Sequence, residues 1–239
     1  MQALLTDLCP AVAGLYLHGS CCLDAFVPGQ SDLDLLVVTD APMDRAARVR
    51  LADGLLPLHE APCPVELSVV RRADAARLPV LCQFHFSSLW APRYQAHDEA
   101  NPLLASDFPD GDMPAYFRLI REKGVVLAGA VPAALLPTVS DEAFWASITE
   151  GIEAFQFPDY GLFDANILTL GRIVSFAHTR RILSKAAGAK WAAARYPQFA
   201  GLLGRAVEAY THAAHGSYDP AELAAYRAWM LAEIRQGLR

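Results

Sequence analysis

Two aspartates and a Gly-Ser pair near the start of the chain have the residue types and spacing of a metal-phosphate site. Asp32 and Asp34 open an apolar run, and eleven residues separate Asp32 from the pair Gly19-Ser20. Because residues i and i+2 of a strand point to the same face, the two carboxylates are expected to lie side by side. Like charges at that separation repel each other, and a hard divalent cation such as Mg²⁺ removes the repulsion. The pattern therefore predicts a clamp for a metal-bound triphosphate.

Four residues besides the aspartates could complete this site. Gly19 allows a backbone conformation that other residues resist, so the turn at Gly19-Ser20 is expected to offer N–H groups and a hydroxyl to a phosphate. Ser31 precedes the first aspartate and could add a second hydroxyl. Glu66, in a later β-prone run, is expected to be a third metal ligand or the general base. Each feature alone is a weak signal, and the joint pattern carries the prediction.

The predicted secondary structure changes near residue 138, from a mixture of strands and helices to helices alone. The pattern up to that point predicts a helix at 2–14, strands at 15–17, 33–38 and 65–70, a helix at 43–56, an irregular aromatic segment at 81–96, a loop at 98–114, a helix at 113–123 and a strand at 125–129. Helical periodicity then predicts helices at 141–157, 163–179, 186–195, 199–214 and 220–237. We therefore expect an α/β (α+β) protein, with a mixed-sheet domain at 1–138 and a C-terminal α-helical bundle at 139–239.

The composition limits the kinds of partner that we expect the protein to bind. The chain is 54% hydrophobic and carries a formal net charge of -6, which disfavours nucleic acid and suits a small cationic substrate. The five cysteines include no C-x-x-C pair, so a zinc site is not expected, and reduced thiols in the cytoplasm are the simplest account. No apolar run is long enough to cross a bilayer. We expect a cytoplasmic monomer without a membrane partner.

The motifs also carry a family resemblance. The runs Tyr16-Leu17-His18-Gly19-Ser20 and Ser31-Asp32-Leu33-Asp34-Leu35-Leu36-Val37 resemble the signature of the polymerase-β-type nucleotidyltransferases. Segments 65–70, 83–84, 119–125, 168–173 and 182–192 are similar to aminoglycoside (3'')(9)-adenylyltransferases, so the resemblance extends over nearly the whole chain. It implies an enzyme that uses one or two Mg²⁺ ions and ATP as co-substrate. It also implies transfer of AMP to a hydroxyl of streptomycin, spectinomycin or a similar drug, with release of pyrophosphate.

The resemblance assigns roles to individual residues. Glu66 matches the catalytic base, and the helical domain is expected to close over nucleotide and substrate. The nucleotide-binding candidates are Gly19, Ser20, Ser31, Asp32, Asp34, Arg172, Lys185 and Tyr210, with Asp32, Asp34 and Glu66 as metal ligands. The acceptor-binding candidates are Glu66, Trp90, Asp159, Tyr160 and Asp164.

Two alternatives stay open at this point. The spacing around Trp90 and the acids before Leu168 departs from the family pattern, so the same chemistry could act on another small molecule or on a protein. A non-catalytic nucleotide-binding module is the second alternative, against which the complete set of Asp32, Asp34 and Glu66 argues. The acidic charge balance disfavours an enzyme that polymerises or tails nucleic acid.

Overall fold

The computed structural model describes residues 5, 9, 11–58, 63–96, 101–154 and 163–239. Their contacts divide the chain into two compact units. The first comprises Met1–Cys22 and Ser31–Ser140, and the second comprises Leu23–Gln30 and Asp141–Arg239. The short segment between the Gly-Ser pair and the aspartates thus belongs to the second unit, although the sequence on both sides of it belongs to the first.

The first unit is built on a mixed sheet that contains six strands in its described part. They are β1 (Val12–Leu17), β2 (Leu33–Thr39), β3 (Val65–Arg71), β4 (Leu81–Ser87), β5 (Phe108–Pro109) and β6 (Val125–Gly129). Their order is β5-β4-β3-β2-β1-β6. The pair β2–β3 is parallel and the other described pairs are antiparallel. A parallel pair needs a crossover connection, which the helix between β2 and β3 provides.

Six helices of the first unit fall within the described residues. They are α1 (Arg45–Leu55), α2 (Arg72–Ala75), α3 (Ala91–Gln95), α4 (Pro102–Ala105), α5 (Met113–Lys123) and α6 (Pro132–Leu135). Short 3₁₀ turns occupy Gly19–Leu23, Leu56–Leu58 and Ser88–Trp90. Helix α1 begins after Asp44, whose side chain accepts the N–H of Ala47 at 2.7 Å and so caps the helix.

The sheet buries apolar side chains on both of its faces. One face packs with α1 and contributes to a core that includes Leu35, Val37, Leu67, Val69, Leu51 and Leu55. The other face packs with α5 in a core that includes Leu36, Val38, Val70, Met113, Phe117 and Ile120. Because successive side chains of a strand alternate between faces, Asp34 and Glu66 lie on the α5 face.

The second unit is helical in its described part. Its helices are α7 (Asp141–Thr149), α8 (Phe163–Thr179), α9 (Lys185–Arg195), α10 (Ala200–Thr211) and α11 (Pro220–Arg235), with 3₁₀ turns at Ile152–Ala154 and Pro197–Phe199. Helix α8 is largely buried, and Val27 from the segment Leu23–Gln30 packs against the same core. Asp219 caps α11 by accepting the N–H groups of Ala221 and Glu222 at 2.9 Å. No helix in the described ranges has the length and apolar character of a membrane span.

The α/β (α+β) fold class expected from the sequence is confirmed, with three local corrections. The helix expected at 2–14 is wrong at its end, because residues 12–14 form the start of β1 and pair with β2 and β6; much of its earlier part lies outside the described residues. The segment expected to be irregular at 81–96 contains β4, which pairs with β3 and buries Phe84 and Phe86. The loop expected at 98–114 contains the short elements α4 and β5 in its described part.

Candidate active site

The turn after β1 brings the backbone of Gly19 against the carboxylate of Asp34. Gly19 has a φ of +66°, a left-handed conformation that favours glycine. A Cβ at this position would lie 1.7 Å from Oδ2 of Asp34, so a side chain would collide with the carboxylate. The N–H of His18 donates to the backbone carbonyl of Asp34 at 3.0 Å and holds the two segments together. Glycine is therefore required here both by conformation and by close approach.

Strand pairing brings Asp34 and Glu66 together. The two residues are register partners in the parallel pair β2–β3, and the N–H of Leu33 donates to Pro64 at 2.8 Å where the pairing begins. Register partners on neighbouring strands are about 4.8 Å apart and point to the same face. Asp32 lies one residue before β2 rather than on it, and both aspartates are partly exposed. The structure therefore joins a base candidate and a metal-ligand candidate at one end of the sheet.

A tyrosine that has no place in the sequence motifs contacts Glu66. The hydroxyl of Tyr116, on α5, donates to Oε1 of Glu66 at 2.7 Å. The ring of His18 packs on the Tyr116 ring with 4.8 Å between centroids, and His18 is buried. Burial lowers the pKa of His18 to about 3, so its imidazole is neutral. Burial, reinforced by the charge of Glu66, raises the pKa of Tyr116 well above its ordinary value, so its hydroxyl stays a donor.

The hydroxyl of Ser20 and the whole of Ser31 are shielded from solvent. Within the part of the chain that the structure describes, the Oγ of Ser20 is inaccessible to solvent and has no hydrogen-bond partner. A buried hydroxyl left unpaired costs about 1–3 kcal/mol, which a bound polar group would relieve. Ser31 is also buried, beside the first aspartate. An orphaned hydroxyl next to a glycine turn fits a phosphate oxygen.

The donor set around the aspartates consists of hard oxygens. Asp32 and Asp34 lie two residues apart, Ser31 directly precedes Asp32, and Ser20 follows Gly19, whose backbone lies against Asp34. The described residues contain no group of three or more His, Cys, Asp or Glu side chains gathered around one point that could hold a metal ion. Magnesium is commonly bound by one or two carboxylates together with water and substrate phosphates. The Asp34 carboxylate against the Gly19 turn, with Asp32 two residues earlier, is compatible with that kind of site.

Two of the three nucleotide candidates of the second unit, Lys185 and Tyr210, are in contact. The Nζ of Lys185, the first residue of α9, lies 5.6 Å from the ring centroid of Tyr210 in α10, within cation–π range. Arg172 on α8 packs against α9 at Gly188, where a Cβ would lie 2.5 Å from the Arg172 Cα. Lys185 and Tyr210 thus form a cation–aromatic pair, and Arg172 lies on the helix that packs against α9.

The described acceptor candidates are divided between the two units. The Trp90 ring lies 5.4 Å from the His85 ring, and the guanidinium of Arg93 lies 5.5 Å from it. Asp164 is buried in the first turn of α8, where its carboxylate accepts the N–H of Gly216 at 3.2 Å and the hydroxyl of Tyr218. Trp90 belongs to the first unit and Asp164 to the second. Asp159 and Tyr160 lie outside the described residues.

The chain is similar to known adenylyltransferases in sequence and in fold. Residues 134–233 match the family model described as the C-terminal domain of aminoglycoside adenylyltransferase. Over 216 residues the chain is 28% identical to the aminoglycoside (3'')(9) adenylyltransferases of Klebsiella pneumoniae and Escherichia coli. The matched region is 84% of this chain and 79% and 78% of theirs. The fold is similar to that of spectinomycin adenyltransferase AAD(9) from Enterococcus faecialis, solved with ATP and spectinomycin. The TM-score is 0.82 at 17% identity, and the match covers 98% of this chain and 94% of that one.

The fold and the comparisons together define the class of protein, which is an enzyme of the nucleotidyltransferase class. The particular resemblance expected from the motifs, to the aminoglycoside (3'')(9)-adenylyltransferases, is confirmed.

Proposed function

We propose that this protein transfers AMP from Mg-ATP to a hydroxyl of an aminoglycoside-type antibiotic such as streptomycin or spectinomycin, and releases pyrophosphate. The observation that carries the proposal is the register pairing of Asp34 with Glu66 beside the Gly19 turn. The similarity to aminoglycoside adenylyltransferases along most of the chain supports the same activity. ATP as the nucleotide is supported by the related fold that was solved with it.

In this proposal the first unit holds the triphosphate. The backbone at Gly19 and the orphaned hydroxyl of Ser20 bind phosphate oxygens, and Ser31 is placed to add a further hydroxyl. Asp32 and Asp34 are the residues that would hold magnesium, as one or two ions. The bound ion supplies positive charge against the phosphate oxygens.

Glu66 is the proposed general base. It takes the proton of the acceptor hydroxyl while that oxygen forms a bond to the α-phosphorus of ATP. The bond from the α-phosphorus to the bridging oxygen breaks, and the electron pair leaves with pyrophosphate. The hydrogen bond from Tyr116 engages Oε1 of Glu66, and we propose that the other carboxylate oxygen takes this proton. A role for Glu66 as a third metal ligand stays a prediction.

The helical part, residues 139–239, is proposed to complete the nucleotide and acceptor sites of the sheet part, residues 1–138. Arg172 and Lys185 neutralise phosphate charge, and Tyr210 offers a ring near the nucleotide. For the acceptor we propose contacts from Trp90, Asp159, Tyr160 and Asp164, since acids suit ammonium groups. The net charge of -6 supports a cationic small molecule and not a nucleic acid. Action as a monomer in the cytoplasm stays a prediction.

A different acceptor is the second candidate. Both carboxylate oxygens of Asp164 already accept hydrogen bonds from Gly216 or Tyr218, which leaves this acid less able to bind an ammonium group. A small molecule or protein with another charge pattern would then take the drug's place while the chemistry at Glu66 stays the same.

The test is pyrophosphate release by the purified protein with Mg-ATP and a panel of aminoglycosides, with mass spectrometry of the drug to detect added AMP. We expect release with streptomycin or spectinomycin, and its loss in Asp34→Asn. The matched control is Asp40→Asn, which removes an exposed carboxylate just after the same strand, where it pairs with Arg72 at 3.0 Å. ATP binding without pyrophosphate release for any drug would contradict the aminoglycoside acceptor.

A further inference from the structure

Tyr116 lies outside the sequence motifs, and its hydroxyl donates a hydrogen bond to the proposed base, Glu66. It lies in the first turns of α5, on the same stripe as Met113, Phe117 and Ile120, which are all buried against the sheet. This burial fixes the helix, so the position of the Tyr116 hydroxyl is set by core packing rather than by a mobile loop.

The ring of Tyr116 is also fixed from the side of the sheet. His18 follows β1, and its buried ring packs on the tyrosine at 4.8 Å with an interplanar angle of 40°. The backbone N–H of His18 donates to Asp34, so the residue that supports Tyr116 is tied to the strand that carries the aspartate. Tyr116 thus connects α5, the end of β1 and Glu66.

A glutamate carboxylate needs such a connection in order to act in one orientation. The last torsion of a glutamate side chain has a broad, roughly two-fold preference, so an unrestrained carboxylate samples many orientations. An ionised carboxylate offers about four acceptor sites on its two oxygens, and a fixed donor at one oxygen directs the other. Reacting groups held in a productive geometry lower the barrier more than freely rotating ones.

We propose that Tyr116 is a positioning residue for the reaction: its hydroxyl holds Oε1 of Glu66 so that the other oxygen faces the acceptor hydroxyl. This inference rests on the proposed function of Glu66 as the base. Tyr116 does not touch the reacting atoms in this scheme and acts only through the carboxylate.

A buried tyrosine of purely structural function is present in the same unit and provides the control. Tyr16 lies on the same face of the sheet, is fully buried, and donates to the backbone carbonyl of Ala130 at 2.8 Å. Its hydrogen bond is nearly as short as that of Tyr116, and its acceptor has no chemical function. Removing each hydroxyl by substitution with phenylalanine keeps the ring and its packing.

The experiment compares Tyr116→Phe with Tyr16→Phe in the full-length protein. For Tyr116→Phe we expect kcat to fall on the order of 10²-fold, with the KM for ATP unchanged because the triphosphate site is intact. For Tyr16→Phe we expect unchanged kcat and a loss of thermal stability no smaller than that of Tyr116→Phe. Circular dichroism melts of both variants verify that the fold is retained.

A double variant separates positioning from a direct or structural role. If Tyr116 acts only through the carboxylate, adding Tyr116→Phe to Glu66→Gln causes no further loss of kcat, since residues that act as a unit are not additive. Either of two results overturns the inference and leaves the proposed function standing. One is a further loss of kcat in the double variant. The other is an active wild type for which Tyr116→Phe and Tyr16→Phe have the same kcat. Wild-type protein that binds ATP yet releases no pyrophosphate with any acceptor overturns both.

Discussion

Position 19 requires glycine for two separate physical reasons. The φ of +66° costs a residue with a side chain about 1–2 kcal/mol, and the Asp34 carboxylate occupies the space that a Cβ would need. Relief of the collision requires Asp34 to move away from the turn. The conformation of the turn and the placement of the metal-ligand candidate are therefore coupled.

Gly19→Ala is expected to lower thermal stability and to weaken binding of Mg-ATP strongly, as measured by calorimetry. Gly29→Ala is the matched control, because Gly29 has a φ of +80° but its Cβ would meet only Ala213, at 3.6 Å. Both variants carry the left-handed strain, so the difference between them reports the collision with Asp34. Equal ATP affinities for the two variants would contradict the proposed role of this turn.

Among the helices, the contact between α8 and α9 depends on Gly188. A Cβ there would lie 2.5 Å from the Cα of Arg172, and a backbone atom cannot rotate away as a side-chain end can. The two helices must separate to admit a methyl group. Such a separation displaces Arg172 and Lys185 together, because they lie on the two helices in contact.

Gly188→Ala is therefore expected to lower the Tm and to weaken ATP binding, although alanine is the better helix former. Gly204→Ala, in α10, is the control, since a Cβ at Gly204 meets nothing within 4 Å. There we expect a gain of up to about 1 kcal/mol from helix propensity and no change in ATP affinity. Similar melting curves for the two variants would show that the helices separate without cost.

The elements that sequence predicts best are those whose signals are local. The helix expected at 163–179 is observed at Phe163–Thr179, and Asp219-Pro220 opens α11 as its capping pattern indicates. Strand β4 was missed because the pairing with β3 that makes it a strand is a tertiary contact. The Gly-Ser and Asp-x-Asp motifs are likewise local. Tyr116 could not be found, since its contact with Glu66, fifty residues away, depends on how α5 packs on the sheet.

For the molecule as a whole, response to acid is expected to depend on a cluster around Glu233. The carboxylate of Glu233 accepts the Tyr196 hydroxyl and the guanidinium of Arg239 at 2.8 Å, with Nε2 of His178 at 3.6 Å. Burial acts to raise the pKa of Glu233, but the hydrogen bonds from Tyr196 and Arg239 outweigh it and hold the pKa below its ordinary value. A carboxyl group with a lowered pKa in the folded state stabilises the fold while ionised.

The stabilisation by Glu233 is fully present above the ordinary glutamate pKa of about 4.3 and is lost as the pH falls through the lower pKa of the folded state. Glu233→Gln is expected to lower the Tm at neutral pH. In thermal melts, the difference in Tm from wild type should shrink as the pH falls below the ordinary glutamate pKa. The control is Glu153→Gln, whose carboxylate pairs with Arg235 in full exposure, where screening by water leaves little effect. A pH-independent difference for Glu233→Gln would contradict this assignment.

The segment Leu23–Gln30 has a consequence for how such genes can recombine. It is encoded between the Gly-Ser turn and the aspartates, yet Val27 packs in the core of the helical unit. A single crossover could replace Asp141–Arg239 with the homologous stretch of a relative. The new helices would then pack against the Leu23–Gln30 segment of the original protein, to which they are not matched. Chimeras that take both Leu23–Gln30 and Asp141–Arg239 from the same parent should therefore be more stable than those that take the two stretches from different parents.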